Sequence, residues 1–244
     1  MSGILYIVPT PVGNMADITL RALDVLKEVD LILAEDTRTS GILLKHYDIH
    51  TPMRSFHKFN EHHEVEGVME RLEGGASIAL ISDAGIPGIS DPGFMLSREC
   101  RRRGVTVTCL PGATALIPAL VSSGLPTDRF VFEGFLPPKK GRATRLQMLA
   151  QDPRTVAIYE SPKRLERTLR QLAEAFGPDR EAAVVREISK IHETVHAGTL
   201  KELSEYFAKN QTKGEIVIVI TGKIAEKKRD SFPSGPDDSN DELK

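Results

Sequence analysis

Four short strand-like runs in the first 124 residues constrain this chain more than any other feature, because stretches with helical spacing alternate with them. Gly3 to Pro9 (GILYIVP) and Ser77 to Ser82 read as buried strands, Leu31 to Ala34 is a second apolar run, and Val105 to Leu110 reads as a strand. Ile18, Ala22, Val25, Leu26 and Val29 fall on one helical face over residues 18 to 29, with Asp17 placed to cap it. Val65, Val68, Met69 and Leu72 do the same over 64 to 73, a helix stopped by Gly74-Gly75. Residues 94 to 103, closed by Gly104, and Ala113 to Ser123, closed by Gly124, read as two further helices. Strands alternating with helices predict a mainly parallel sheet with flanking helices.

The rhythm changes after Gly124-Leu125-Pro126. Phe130 to Glu133 and Val156 to Tyr159 read as strands around a basic helix, and Leu165, Leu169, Leu172 and Phe176 form one helical stripe over 163 to 176. Ala182 to Arg186 and Thr194 to Ala197 stand too close for a helix between them, so an antiparallel hairpin is expected. Thr199 and Glu202 form a capping box for a last helix, and Ile216 to Ile220 is a closing buried strand. The fold class expected is therefore α/β in two domains, the second with a mixed sheet and helices. The boundary lies near residues 111 to 127, giving domains of 1–119 and 120–225. Residues 226–244 carry 4 basic and 6 acidic residues and almost nothing apolar, which predicts a disordered polar tail.

Charge and composition exclude several classes. The 32 Lys and Arg nearly balance 34 Asp and Glu, so the chain is not a globally basic nucleic-acid binder. Cys100 and Cys109 are the two cysteines, too few for a disulfide framework, which favours a reducing cytosol. No apolar run is long enough for a membrane helix. The first strand begins at Gly3, leaving no room for a signal peptide, so a cytoplasmic protein is expected.

The strongest chemical signal is Ser82-Asp83-Ala84-Gly85-Ile86-Pro87-Gly88-Ile89-Ser90-Asp91-Pro92-Gly93, between a buried strand and a helix. In open parallel sheets ligands sit outside the carboxyl ends of strands. Glycines let backbone approach a ligand, and prolines stiffen the loop so that less entropy is lost on binding. The loop lacks the P-loop lysine, and the first strand exits through Val8-Pro9-Thr10-Pro11-Val12-Gly13-Asn14 without a dinucleotide fingerprint. Proline at that exit makes a donor-poor wall, suited to an adenine face or a thioether. Leu110-Pro111-Gly112-Ala113-Thr114 is a second small-residue turn from strand to helix.

Two segments suggest nucleic acid. Residues 136 to 170 hold nine Lys or Arg against three acids, a local +6 in a chain of −2. Phe56 to Glu64 interleaves aromatic and basic residues, as contacts to single-stranded RNA do. No metal site is expected there, since there is no H-E-x-x-H and no cysteine nearby. His192 and His196 on the hairpin read as structural.

Taken together, VPTPVGN (8–14), AEDTR (34–38), SDAGIPGISDPG (82–93), LPGAT (110–114), YESPKR (159–164) and REISKIHE (186–193) make the chain resemble the ribosomal RNA small-subunit methyltransferase I family over residues 3 to about 224. That family belongs to the tetrapyrrole-methylase-like class of S-adenosylmethionine-dependent methyltransferases. The resemblance implies methylation of the 2′-oxygen of a cytidine ribose in the decoding region of 16S rRNA, on the 30S subunit, by a homodimer. It implies two α/β domains with the cofactor in the cleft between them. Pro9 would wall the cofactor. Ser82, Asp83, Ala84, Gly85, Ile86 and Ile89 would line its methionine and ribose parts, Ala113 and Thr114 would lie near its methionine or adenosine, and Tyr159 and Glu160 would close the pocket from the second domain. Candidate RNA contacts are Arg38, His57, Lys58, Asn60, Lys139, Lys140, Arg142, Arg145, Lys163 and Arg164. Glu35, Asp36, His57 and Lys190 are unranked candidates for the group that accepts the hydroxyl proton, and the catalytic residue is left open. A methylase of a tetrapyrrole precursor, whose carboxylates also attract arginines, and a non-catalytic RNA-binding module are the alternatives.

Overall fold

The computed structural model describes residues 3–57, 59–90 and 93–223. Lys58, Asp91 and Pro92, and the polar tail expected at 226–244 lie outside the described residues. The chain builds two five-stranded sheets.

The first sheet contains β1 (Ile4–Ile7), β2 (Leu31–Ala34), β3 (Met53–Ser55), β4 (Ser77–Ile81) and β5 (Thr106–Cys109). Its order is β3-β2-β4-β1-β5 and every pairing is parallel. Alternation along the strands divides its side chains between two cores. Leu31, Leu33, Ile78 and Leu80 face α3 (Glu61–Glu73) and α4 (Phe94–Arg102), whose Val68, Met69, Leu72, Leu96 and Cys100 join the same cluster. Ile32, Ala34, Ala79 and Ile81 face the other way, onto Ala22 and Leu26 of α1 (Leu20–Glu28) and Leu44 of α2 (Thr37–His46). Cys100 is buried and its thiol is pushed up to about 11 by that burial, while Cys109 is exposed; both are free.

The second sheet contains β6 (Phe130–Phe135), β7 (Thr155–Glu160), β8 (Glu181–Arg186), β9 (Thr194–Thr199) and β10 (Ile216–Ile220), in the order β6-β7-β10-β8-β9. β6 and β7 are parallel and the remaining pairings antiparallel, including the expected β8–β9 hairpin. One face packs on α6 (Arg142–Ala150), α7 (Leu165–Phe176) and α8 (Leu200–Lys209) through Leu146, Leu149, Leu169, Leu172, Leu203 and Phe207. The other face, with Ala157, Val185, Val217 and Val219, is covered by Ala119 and Leu120 of α5 (Leu116–Ser122) and by Val12. The first half thus forms part of the wrapping of the second sheet.

Several local readings change. Thr19, not Asp17, caps α1, because its hydroxyl accepts the Ala22 N–H while Asp17 sits in a preceding 3-10 turn. α5 begins at Leu116, leaving Ala113 to Ala115 as loop. α2 and β3 have no counterpart in the periodicity reading. The capping box on α8 forms as expected. Among the described residues no helix is long and apolar enough to cross a membrane.

Candidate active site

Because the first sheet is wholly parallel, the exits of β1, β2, β4 and β5 lie along one edge. The β4 exit is the glycine- and proline-rich loop. Gly85, Gly88 and Gly93 have φ of 82°, 85° and 123°, and Ser90 joins them at 67°. Gly85 exchanges two backbone hydrogen bonds with Thr10, both 2.9 Å, which ties the loop to the β1 exit. The buried Glu61 carboxylate accepts the Gly93 N–H at 3.2 Å and holds the far end. A Cβ on Gly134, at the bulge of β6, would come within 3.0 Å of the Ser90 hydroxyl, so the loop also rests on the second sheet.

Antiparallel pairing determines what the second half contributes. Glu160 at the end of β7 and Arg186 at the end of β8 both flank Ile216 at the start of β10. These ends converge on the loops of the first half and enclose a cleft of about 450 Å³, within the ~300–1,000 Å³ range of small-molecule sites. It is lined by Asp83, Ala84, Gly85, Ile86, Ile89 and Thr114 from the candidate cofactor set on one side and by Tyr159 and Glu160 on the other. Sequence reasoning missed Val12, Phe135, Ile188, Ser161, Pro162 and the run Gly214 to Val217. The available signal for Ile188 was its place inside the REISKIHE motif; the structure adds that the backbone there is unusual, Glu187 and Ser189 adopting φ of 55° and 64°.

Three candidate cofactor residues stand behind the wall. Pro9 is buried, and a Cβ on Gly112 would come within 2.8 Å of its ring, so Pro9 backs the LPGAT turn instead of walling the cleft. Ser82 is buried and its hydroxyl donates to Gly85 O at 3.3 Å, which shapes the loop from within. Ala113 packs beneath Gly85, its carbonyl oxygen 3.8 Å from where a Gly85 Cβ would lie.

The acids Glu35, Asp83, Glu160 and Glu215 line the cleft, with no Lys, Arg or His among the described lining residues; Glu160 turns its buried carboxylate away onto Arg142 and Arg164, and Glu215 is bonded to Lys190. Burial pushes Glu35 above the ordinary carboxylate range, and the nearby Asp83 charge adds to it. Asp83 is likewise raised by burial, which outweighs the Asp36 N–H that its carboxylate accepts. The other three candidate proton acceptors are engaged elsewhere. Asp36 caps α2 and grips Arg38, whose hydrogen bonds hold its carboxyl down to about 2. Lys190 is disfavoured as a cation by burial, but hydrogen bonds to Glu187 (2.9 Å) and Glu215 (3.1 Å) outweigh that and keep it protonated. His57 is half-buried outside the cleft lining, and its Nδ1 accepts the Phe59 N–H at 3.2 Å.

The candidate RNA contacts divide sharply. Arg142 is corrected: it is buried at 5% exposure, donating to Gln171, Thr168 and the Pro137 carbonyl, with Glu160 3.8 Å away. A guanidinium so placed answers a buried carboxylate and cannot meet an external phosphate. Arg164 completes the cage at 2.7 Å from the same Glu160, with a third of its side chain exposed. Arg145 is forked onto Glu133 through two hydrogen bonds. Asn60 is also spent, accepting the His57 N–H and donating to the Ser55 carbonyl. Lys139, Lys140 and Lys163 are exposed, as is Arg38 beyond its bond to Asp36.

The comparisons with known proteins agree with this architecture. The family model of the tetrapyrrole (corrin/porphyrin) methylases matches residues 4–204. A ribosomal RNA small subunit methyltransferase I from Synechocystis sp. is 51% identical over 225 residues, 92% of this chain and 81% of that protein. Its namesake from Haemophilus influenzae is 49% identical, covering 91% of this chain and 80% of that one, and that from Thermotoga maritima is 45% identical, covering 91% and 99%. Among solved structures, a diphthine synthase superposes with TM-score 0.72 at 14% identity, covering 91% of this chain and 90% of that one. A uroporphyrin-III-C-methyltransferase from Thermus thermophilus superposes at 0.63 and 20%, covering 89% and 94%. At those identities the structural likeness shows the fold. The identity to the rRNA enzymes across nearly the whole chain shows more: the chain is a methyltransferase of the tetrapyrrole methylase family and belongs within it to the ribosomal RNA small subunit methyltransferase I group.

Proposed function

We propose that the chain transfers a methyl group from S-adenosylmethionine to the 2′-oxygen of a cytidine ribose in the decoding region of 16S rRNA, on the small ribosomal subunit. The observation that carries the cofactor reading is the build of the cleft: the Asp83 to Ile86 loop faces Tyr159, Ile216 and Val217 across it, Glu35 and Asp83 bring carboxylates to its wall, and no Lys, Arg or His is among its described lining residues. A sulfonium carrying an ammonium group is favoured there by simple Coulomb attraction, and a pyrophosphate-bearing dinucleotide is opposed. Asp83 to Ile86 and Thr114 would hold the cofactor from the first half, and Tyr159 with Ile216 and Val217 from the second. When bound, S-adenosylmethionine supplies an electrophilic methyl carbon.

The chain's own work is then to orient the hydroxyl, remove its proton and exclude water. Orientation alone accounts for ~7–11 kcal/mol in favourable cases. We assign proton acceptance to Glu35, the one candidate of the four that lines the cleft, with a carboxyl raised above its ordinary value by burial. The RNA reading is supported by the names of the relatives and by Lys139, Lys140, Lys163 and Arg38, exposed cations outside a negatively lined cleft. A polyanion would be held by that exterior and kept out of the cofactor site. The homodimer expected from the family is proposed on the exposed Ile117 and Val121, one turn apart on α5. Light scattering that finds a 27 kDa species at micromolar concentration overturns it.

The test of the function is methyl transfer from labelled S-adenosylmethionine to 30S subunits lacking the modification, with free rRNA and a porphyrin precursor in parallel. Label on a 16S ribose is expected. No label on RNA, with label on the porphyrin precursor, overturns the reading.

A further inference from the structure

A second, smaller cavity of about 160 Å³ lies against the cleft and shares its wall: Asp83 lines both. The β1 exit provides Thr10, Pro11 and Asn14, and α2 provides Thr39, Ser40 and Leu43. Three features define its chemistry. Its size, well under that of drug-sized ligand sites, admits a single ring and little more. Its flanks include the apolar Pro11, Met15 and Leu43, with hydroxyl and amide groups between them and no Lys or Arg among the described lining residues. Finally, Ser40 is 3% exposed, and its Oγ is the one buried side-chain polar atom among the described residues with no hydrogen-bond partner.

That orphan hydroxyl is the informative feature. A serine inside a helix ordinarily returns its hydroxyl to the preceding turn, and a buried hydroxyl left unpaired costs ~1–3 kcal/mol. Here the helix N–H of Ser40 bonds to the Asp36 carbonyl, and the hydroxyl bonds to nothing. Ser40 lines the cavity with its hydroxyl closed off, and rotation about χ1 would turn that donor-acceptor to a polar ligand that enters. An anion is opposed by Asp83 and the lack of cations. The remaining fit is a flat, uncharged ring with hydrogen-bonding edges.

We propose that this cavity receives the base of the target nucleotide, turned out of its RNA, with Ser40 hydrogen-bonding its polar edge. This rests on the RNA methyltransferase reading above and adds the subsite that selects the nucleotide. Enzymes that act on a buried nucleotide extrude it into a snug pocket lined by apolar walls and hydrogen-bonding groups. A base seated here leaves its sugar at the Asp83 seam, on the side where the larger cleft begins. The cavity is also coupled to the second half. Ser189 hydrogen-bonds Asp17 beside the Asn14 loop, and the Lys190 side chain lies over Gly13 on the cavity wall.

Two substitutions test it. Thr39 is exposed on α2, so Thr39→Trp blocks the cavity without touching the core. Ser40→Ala removes the hydroxyl and adds no volume. With unmodified 30S subunits, Thr39→Trp is expected to lower kcat/KM at least about 100-fold, and Ser40→Ala about three- to tenfold, the effect of one neutral hydrogen bond. Calorimetric affinity for S-adenosylmethionine should stay at the wild-type value in both, which also verifies folding. A decoding-region RNA carrying pyrrolo-cytosine at the methylated position should brighten on binding wild type and stay dim with Thr39→Trp. Wild-type rates in both variants overturn the proposal, and so does a loss of cofactor affinity in Thr39→Trp, which would give the cavity to the cofactor. If wild type itself labels no rRNA, the function reading fails first, and this one with it.

Discussion

The two sheets differ in how they meet the cleft. In the first, parallel strands deliver four exits to one edge, and what they deliver is backbone: glycines at positive φ, a Thr10–Gly85 bridge, short turns. In the second, antiparallel insertion of β10 between β7 and β8 sets strand ends against strand starts, and what it delivers is side chains. Those charges are neutralised before they reach the site. Glu160 is enclosed by Arg142, Arg164 and Thr168, and Glu187 by Lys190 and the Glu215 N–H. The first half therefore recognises by shape, and the second holds its wall in place by a buried polar network. A parallel edge needs conformational freedom in its loops, whereas a buried charge needs partners on every side.

That contrast is open to attack, beginning where the effect is largest. Replacing Glu35 by Gln removes the proposed proton acceptor from the first half, and kcat should fall about 10²- to 10⁴-fold with cofactor affinity retained. The acceptor must be ionised to work, so the wild-type rate should rise with pH through the Glu35 pKa. Because that pKa is raised, this limb lies above the ordinary glutamate range, and it should vanish in Glu35→Gln. A variant with wild-type kcat and an unchanged pH profile returns proton acceptance to another group.

Next comes the network of the second half. Arg142→Ala removes one of the two guanidiniums around Glu160, leaving Arg164 in place, and takes the donor from Gln171 and the Pro137 carbonyl; it should cost about 1–3 kcal/mol in urea unfolding, the penalty of buried polar groups left unpaired. If it leaves stability untouched and weakens RNA binding instead, Arg142 is an external contact after all. Gly85→Leu should then weaken S-adenosylmethionine at least tenfold, about 1.4 kcal/mol. Its φ of 82° strains any side chain, and a Cβ would already lie 3.5 Å from Val12. Unchanged calorimetric affinity in a folded protein removes the loop from the cofactor site. The smallest effect is expected for Lys139→Ala with Lys140→Ala. Each exposed cation contributes about one unit to the dependence of log affinity on log salt, so the slope for RNA should flatten by up to roughly two. An unchanged slope moves the RNA face elsewhere.

The signals that were legible were local ones. The parallel half could be read because β1, β2 and β4 are short apolar runs and three of its helices end at or just before a glycine, Gly74, Gly104 and Gly124. The capping box at Thr199 and Glu202 could be read for the same reason. α2 escaped because it opens with Thr37-Arg38-Thr39-Ser40 and buries a serine, which weakens its apolar stripe. β3 escaped because three residues carry no period. In the cleft, the Asp83 to Ile86 loop stood out through its glycines and proline, but Ile188 and Gly214 to Val217 did not, since their sequence distance from the loop hides the pairing that joins them.

Arg142 marks where such reading stops. By itself, the sequence determined the alternation of strands and helices, the rigid loop after β4 and the family, because these depend on short-range propensity and on motifs that keep their spacing. It also showed that residues 136 to 170 carry a +6 charge. Only the tertiary structure decided how that charge is used. Whether a guanidinium faces water or a carboxylate depends on which distant chain packs against it, and Glu160 reaches Arg142 from a neighbouring strand end. The same holds for Ser40, whose missing hydrogen-bond partner becomes visible once α2 is packed against the exit of β1.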